Sequence, residues 1–179
     1  MNEKSLLTIL VPLKGRVEYT KRFLKYCQVI DSPFKVLLLD GGHPNDLGDF
    51  VKDYPFAKYW RCPYDSSIRH FVSKMAYGHS LVETPFVVAM DNDDFFDASG
   101  LLVACNFLLK NKTFSSFCGD VRSFILNGFD IVPDKSIYTK PSILGNTEEE
   151  RIISCFENFH SHWHNVIWSD YAERVYKLI

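Results

Sequence analysis

Residues 85–94 read Pro85-Phe86-Val87-Val88-Ala89-Met90-Asp91-Asn92-Asp93-Asp94. An uncharged run passes straight into four polar residues, three of them aspartates. A short continuous apolar run without alternation predicts a strand covered on both faces, hence a central strand of a parallel sheet. Open α/β sheets bind their ligands outside the carboxyl ends of such strands. The same ten residues therefore point both to a fold and to a site.

Two similar runs lie upstream. Leu6 to Val11 is apolar and stopped by Pro12, and Phe34 to Leu39 runs into Asp40-Gly41-Gly42. Between them Phe23, Leu24, Cys27 and Ile30 recur at helical spacing, and Asp31-Ser32-Pro33 ends that helix. Strand, helix and strand at this spacing predict a right-handed parallel crossover. Residues 57–61 form a weaker strand candidate. Residues 66–83 predict a helix with Ile68, Phe71, Val72 and Met75 inward, and 101–109 predict another.

Beyond residue 110 the pattern is mixed. Strands are expected at 114–118 and 121–126, joined at Gly119-Asp120, with turns at Asn127-Gly128 and Pro133-Asp134. A loop over 138–146, a helix over 148–159, a short strand over 163–168 and a helix over 171–178 follow. The predicted fold class is α/β: a mostly parallel central sheet flanked by helices, in one domain with a mixed second half. The halves are residues 1–100, which would bind the ligand, and 101–179.

The chain has 179 residues, of which 46% are hydrophobic and 23% charged, and a net charge of −2. That is enough to bury a core without a disulfide or metal staple. The charge balance excludes the basic groove of a nucleic-acid binder. Five cysteines without a C-x-x-C pair exclude a disulfide framework or zinc knuckle and predict buried thiols in a reducing compartment. The apolar run at 6–13 is too short for a signal peptide or a spanning helix. The expected location is cytoplasmic, with room for a peripheral place at the membrane.

Crowding Asp91, Asp93 and Asp94 is costly, since two carboxylates ~4 Å apart repel by ~4 kcal/mol at an effective dielectric near 20. Solvation, a raised pKa or a bound cation relieves this. Oxygen ligands with an open shell suit Mn²⁺ or Mg²⁺, which would also hold a diphosphate. The plain alternative is a solvated acidic turn before a helix capped by Asp97 or Ser99. A helix-loop-helix calcium site fits poorly, because Phe95 and Phe96 stand where a ligand and a glycine belong.

With these residues in view, the run LTILVPLKGRVEYTKRFLKYC resembles the opening of family 2 glycosyltransferases of the GT-A fold. FKVLLLDGG resembles their second strand, and VETPFVVAMDNDDFF their strand with a DxD motif, here in the D-x-D-D-F form of small bacterial glycosyltransferase domains. The resemblance covers about residues 5–125. It implies a metal-dependent transferase that moves a sugar from a nucleoside-diphosphate donor, most often a UDP-sugar, to a glycan or other hydroxyl acceptor with inversion. A role in cell-surface polysaccharide synthesis is part of the same implication.

Carried over by position, the resemblance makes Pro12 and Leu13 the backbone wall of a nucleoside pocket and Asp40 an acceptor for the base. Arg69 and Lys74 are its candidates for the basic group near base or diphosphate. Asp91 would contact ribose or metal, with Asn92 beside it in the nucleotide-binding set. Asp93 would be the principal metal ligand, and Asp94 would support its neighbours or the acceptor. From the residues alone, Asp40 also fits an Asx turn with Gly41 and Gly42, and Arg69 a solvent-facing helix position.

Inverting transfer needs a carboxylate base within reach of the acceptor hydroxyl. Glu149, in the acidic run before the helix at 148, is the candidate, with Asp120 and Asp170 in reserve. Thr147-x-x-Glu150 reads equally as a capping box. His160, His162 and His164 would share one face of an extended segment, either as a polar surface or with one of them completing a metal shell. Two other functions fit less of the sequence. One is a nucleotide-binding module that lacks a complete acceptor site and is inactive alone, because the chain stops right after a helix. The other is a nucleotidyltransferase, for which Lys14-Gly15-Arg16 is a meagre phosphate loop.

Overall fold

A computed structural model describes residues 5–127, 130–138, 141–157 and 163–178. Contacts divide the chain into two compact units, Met1–Phe117 with Trp163–Ile179, and Cys118–His162. These units part the chain at other places than residue 100, because the segment after residue 162 rejoins the main sheet.

The first unit is built on a six-stranded sheet. Its strands are β1 (Leu7–Leu13), β2 (Lys35–Asp40), β3 (Ala57–Arg61), β4 (Phe86–Ala89), β5 (Ser116–Phe117) and β8 (Val166–Trp168), ordered β3-β2-β1-β4-β8-β5. The first four are parallel, with Leu10 opposite Leu37 on one side and Ala89 on the other. Their carboxyl ends therefore share one edge. β8 runs antiparallel to both β4 and β5.

Why the strand sequences lack alternation is visible in the core. Leu7, Ile9, Val11 and Leu13 pack with Val36, Leu38, Phe86 and Val88 on one face of the sheet. There they meet Phe23, Leu24 and Cys27 of α1 (Val17–Val29) and Ala104, Cys105 and Leu108 of α4 (Ala98–Lys110). Leu10, Leu37, Leu39 and Val87 point the other way, onto Met75 of α3 (Ile68–Ser80) and Ala172 of α6 (Ser169–Lys177). Each fully buried aliphatic side chain of this kind contributes about 1.5–3 kcal/mol. A short helix, α2 (Leu47–Phe50), and a 3₁₀ turn at Val51–Asp53 connect β2 to β3; no periodicity announces elements this short.

In the second unit β6 (Val121–Asn127) and β7 (Asp130–Tyr138) form an antiparallel pair, and α5 (Glu148–Glu157) follows. This corrects the turn expected at Pro133-Asp134, which lies inside β7, with Pro133 opposite Phe124. A proline is admitted in a two-stranded ladder, where each strand has an open edge, and the register shifts beside this pair, between Arg122 and Phe124. The strands expected at 114–118 and 121–126 do not pair with each other: β5 joins β8, and β6 joins β7.

All five cysteines are free, and Cys27, Cys62 and Cys105 are buried. Burial pushes the Cys27 thiol up to about 12 and that of Cys105 to about 11, so both are inert packing groups. Among the described residues no helix is long and apolar enough to cross a membrane.

Candidate active site

The edge formed by the carboxyl ends of β1–β4 carries three groups of polar residues. The first surrounds Asp40, the last residue of β2, which is 1% exposed. Its Oδ1 accepts from the Gly42 N–H at 2.8 Å, an Asx-type turn. Its Oδ2 accepts from Asn45 Nδ2 at 2.9 Å and Tyr59 Oη at 2.8 Å, and lies 3.0 Å from Arg61 Nη1. Burial works against the Asp40 charge, yet the bonds from Asn45, Gly42 and Tyr59 with the Arg61 charge hold its carboxyl below the usual range. Asp40 thus fastens the turn after β2.

The second group lines a cleft of about 400 Å³ bounded by Pro12 and Leu13 at the end of β1 with Lys14 after it, Asp65 to Ile68, and Phe71 and Lys74 of α3. Pro12, Leu13 and Lys74, chosen from the sequence, meet here. Arg69 is exposed in the first turn of α3 and is not among the lining residues. Lys74 is buried and bonded to Asp65 Oδ2 and, at 2.9 Å, to the Leu13 carbonyl. Asp65 Oδ1 is buried and has no hydrogen-bond partner among the described residues. A β-carbon on Gly41 would stand 2.5 Å from the Asp65 carboxylate, so glycine is required at that point.

The third group is the acidic turn after β4. Asn92 is buried and donates to Thr20 Oγ1 at 2.8 Å and to the Arg16 carbonyl at 3.1 Å, which ties the turn to the start of α1. Arg16 itself has a left-handed backbone, φ 56°, and its Nη1 lies 2.6 Å from Asp93 Oδ2. Arg22 Nη2 holds the Asp93 carbonyl at 3.1 Å. Asp93, expected as the principal metal ligand, is therefore paired with a guanidinium.

Asp91 and Asp94 face a different partner. The His164 N–H donates to the Ala89 carbonyl at 3.0 Å just before β8, which brings its ring to the end of β4. His164 Nε2 lies 2.9 Å from Asp94 Oδ2, and Trp163 Nε1 donates to Asp91 Oδ2 at 3.0 Å. One ligand atom from each of Asp91, Asp94 and His164 falls within 4.8 Å of the other two. Burial raises the Asp91 pKa; the Trp163 bond opposes this, and the charges of Asp94 and Asp93 reinforce it. Two carboxylates and an imidazole could hold a small divalent cation. His160 and His162 lie outside the described residues.

The proposed base lies in the second unit. Glu149 is exposed in the first turn of α5, one residue before Glu150, which forms the capping box: its Oε2 accepts from the Asn146 N–H at 2.7 Å, and its N–H donates to Thr147 Oγ1 at 3.1 Å. Asp170 is exposed on α6 and pairs with Arg174 at 3.4 Å.

Comparison with known proteins rests on shape. No protein-family model matches the chain, and no curated protein matches it. A crystal structure of S. aureus TarS 1–349 superposes with a TM-score of 0.57 at 13% identity, over 94% of this chain and 48% of that one. The fold is GT-A-like. A second crystal structure of S. aureus TarS matches over 59% of this chain and 20% of its own, with a TM-score of 0.47 and 16% identity. The chain thus spans less than half the length of the structures it resembles.

Sequence reading missed Trp163 and Asp65 as parts of this edge, and named Arg16 only within a meagre phosphate loop. Trp163 and His164 arrive because β8 is antiparallel, so its amino end meets the carboxyl end of β4. The periodicity of a three-residue strand carries no sign of its direction.

Proposed function

We propose that this chain is the donor-binding part of a glycosyltransferase that uses a nucleoside-diphosphate sugar, a UDP-sugar first among them, with Mn²⁺ or Mg²⁺. The observation that supports this best is the meeting of Asp91, Asp94 and His164 at the carboxyl end of β4, in a GT-A-like sheet with a cleft beside the end of β1. In this reading Asp91, Asp94 and His164 hold the cation. When bound, it supplies Lewis-acid stabilisation for charge that develops on the leaving diphosphate.

The chain's own residues do the rest. Pro12 and Leu13 form the wall against which the nucleoside lies, and Asp40 keeps the neighbouring turn in place. Asn92 fixes the acidic turn to α1. Lys14, at the mouth of the cleft, and Arg16, by leaving Asp93, are cations for phosphate oxygens, with Arg69 the candidate taken from the sequence. Transfer with inversion needs a carboxylate to take the acceptor's hydroxyl proton as the new bond forms to the anomeric carbon and the carbon–oxygen bond to the diphosphate breaks, and Glu149 is the sequence's candidate for that base.

A second reading has its own support. The chain spans 48% of the TarS 1–349 structure, so donor binding without transfer is the outcome if the acceptor site needs further chain.

Calorimetry of UDP with the intact chain, with and without Mn²⁺, tests the first step. The expected result is UDP binding that requires Mn²⁺ and weakens about tenfold or more in Asp94→Ala. Absence of UDP binding at millimolar Mn²⁺ overturns the reading. Release of sugar from a UDP-sugar panel then separates a working transferase from a binding module.

A further inference from the structure

Resting on the cation reading above, we infer that Trp163 is a positioning residue for Asp91, and that its indole N–H sets the divalent-cation affinity of the Asp91–Asp94–His164 group. The bond from Trp163 Nε1 to Asp91 Oδ2 is 3.0 Å long. Indole is a neutral donor that accepts nothing and does not ionise near neutral pH. It therefore holds a carboxylate in place without cancelling its charge. Arg16 does the opposite to Asp93, where a guanidinium at 2.6 Å neutralises the group it holds. The two devices treat neighbouring aspartates differently: Asp93 is balanced by a guanidinium, and Asp91 is oriented by a donor that carries no charge.

The donor is itself fixed. The Trp163 ring lies 6.4 Å from that of Phe71, 35° from parallel, and packs against the cluster of Leu10, Leu39 and Met75. The next residue, His164, has φ 66° and its N–H on the Ala89 carbonyl. This left-handed step lets two consecutive side chains reach two different carboxylates, Trp163 to Asp91 and His164 to Asp94. A neighbour that orients a metal ligand without touching the metal is worth ~10- to 100-fold in metal affinity.

The test is Mn²⁺ titration of the intact chain by calorimetry, for wild type, Trp163→Phe and Trp168→Phe. Trp168 also donates through its indole, to the Phe114 carbonyl at 3.0 Å, so it controls for the loss of such a bond elsewhere. Trp163→Phe is expected to weaken Mn²⁺ about tenfold or more, and Trp168→Phe to leave it unchanged. A second measurement does not need the Trp163 variant to fold. With Trp60→Phe and Trp168→Phe, Trp163 is the remaining tryptophan. Paramagnetic Mn²⁺ should quench its emission saturably, Mg²⁺ should not, and Asp94→Ala should abolish the effect. Wild-type affinity in a folded Trp163→Phe, or saturable Mn²⁺ binding without quenching, overturns the role of Trp163 and leaves the cation reading standing. Absence of Mn²⁺ binding by the wild type overturns both.

Discussion

His79 of α3 lies nearly flat against Tyr176 of α6, with ring centroids 4.5 Å apart and planes 23° from parallel. The imidazole is buried, and its Nδ1 finds no hydrogen-bond partner among the described residues. Burial lowers its pKa to about 4, against a smaller opposing pull from Glu173. Unfolded, the same ring titrates near 6.5. As pH falls from about 6.5 toward 4, the unfolded chain takes up a proton that the folded one refuses, so stability is lost across that window. The full effect is about 3 kcal/mol as an order of magnitude. Urea unfolding at pH 7, 5.5 and 4.5 should show a slope that His79→Phe flattens, since phenylalanine keeps the ring contact and removes the proton. Equal slopes in both proteins would dismiss His79 as the source.

Gly78, one residue earlier, faces the sheet. A β-carbon there would overlap Leu39 Cδ1 and stand 3.1 Å from Leu10 Cδ1, both in fully buried side chains. Gly78→Ala is therefore expected to destabilise by about 1–3 kcal/mol through overpacking, despite alanine's better helix propensity. The urea midpoint should fall with little change in the m-value. An unchanged or raised midpoint would show that α3 can slide to make room.

Lys74 and Asp65 form an ion pair whose side chains are 2% and 5% exposed. Removing one partner leaves a buried charge, so Lys74→Met should cost about 3–5 kcal/mol. Changing both together, Lys74→Met with Asp65→Leu, should recover much of that loss. A complete thermodynamic cycle by denaturant melts measures the coupling. Additive losses would mean that solvent reaches the pair more freely than its burial indicates.

Asn92 links the acidic turn to α1. Asn92→Ala leaves the Thr20 hydroxyl and the Arg16 carbonyl without their amide donor, at a cost of about 1–3 kcal/mol. The same variant should weaken Mn²⁺ binding, because the turn that carries Asp91 and Asp94 loses its anchor. Thermal melts and Mn²⁺ titration together check this. A lowered melting point with unchanged Mn²⁺ affinity would make Asn92 a purely structural residue.

The central sheet was legible because β1, β2 and β4 are covered on both faces, which leaves unbroken apolar runs such as Ile9–Val11 and Phe86–Val88. The acidic turn was legible for the same reason: the end of a buried strand is conspicuous. What surrounds that turn was harder to read. Asp40 looks like a free acceptor in sequence, yet Tyr59 and Arg61, from the next strand, occupy its carboxylate. Asp93 and Asp94 are adjacent and chemically identical, and only Arg16 and His164, each about seventy residues or more away, assign them different partners. Pro133 suggested a turn because its local preference speaks loudly, whereas the open edge that tolerates it in β7 is a property of the pair of strands.

The insertion of β8 between β4 and β5 gives this protein a timetable. Residues 7–89 build four parallel strands from neighbours in the chain, but the histidine and tryptophan that complete the acidic turn are translated some seventy residues after it. A growing chain can therefore assemble its scaffold on the ribosome, with Arg16 already beside Asp93, while Asp91 and Asp94 still lack Trp163 and His164. The turn gains its full set of partners only when the late strand has slotted into the sheet.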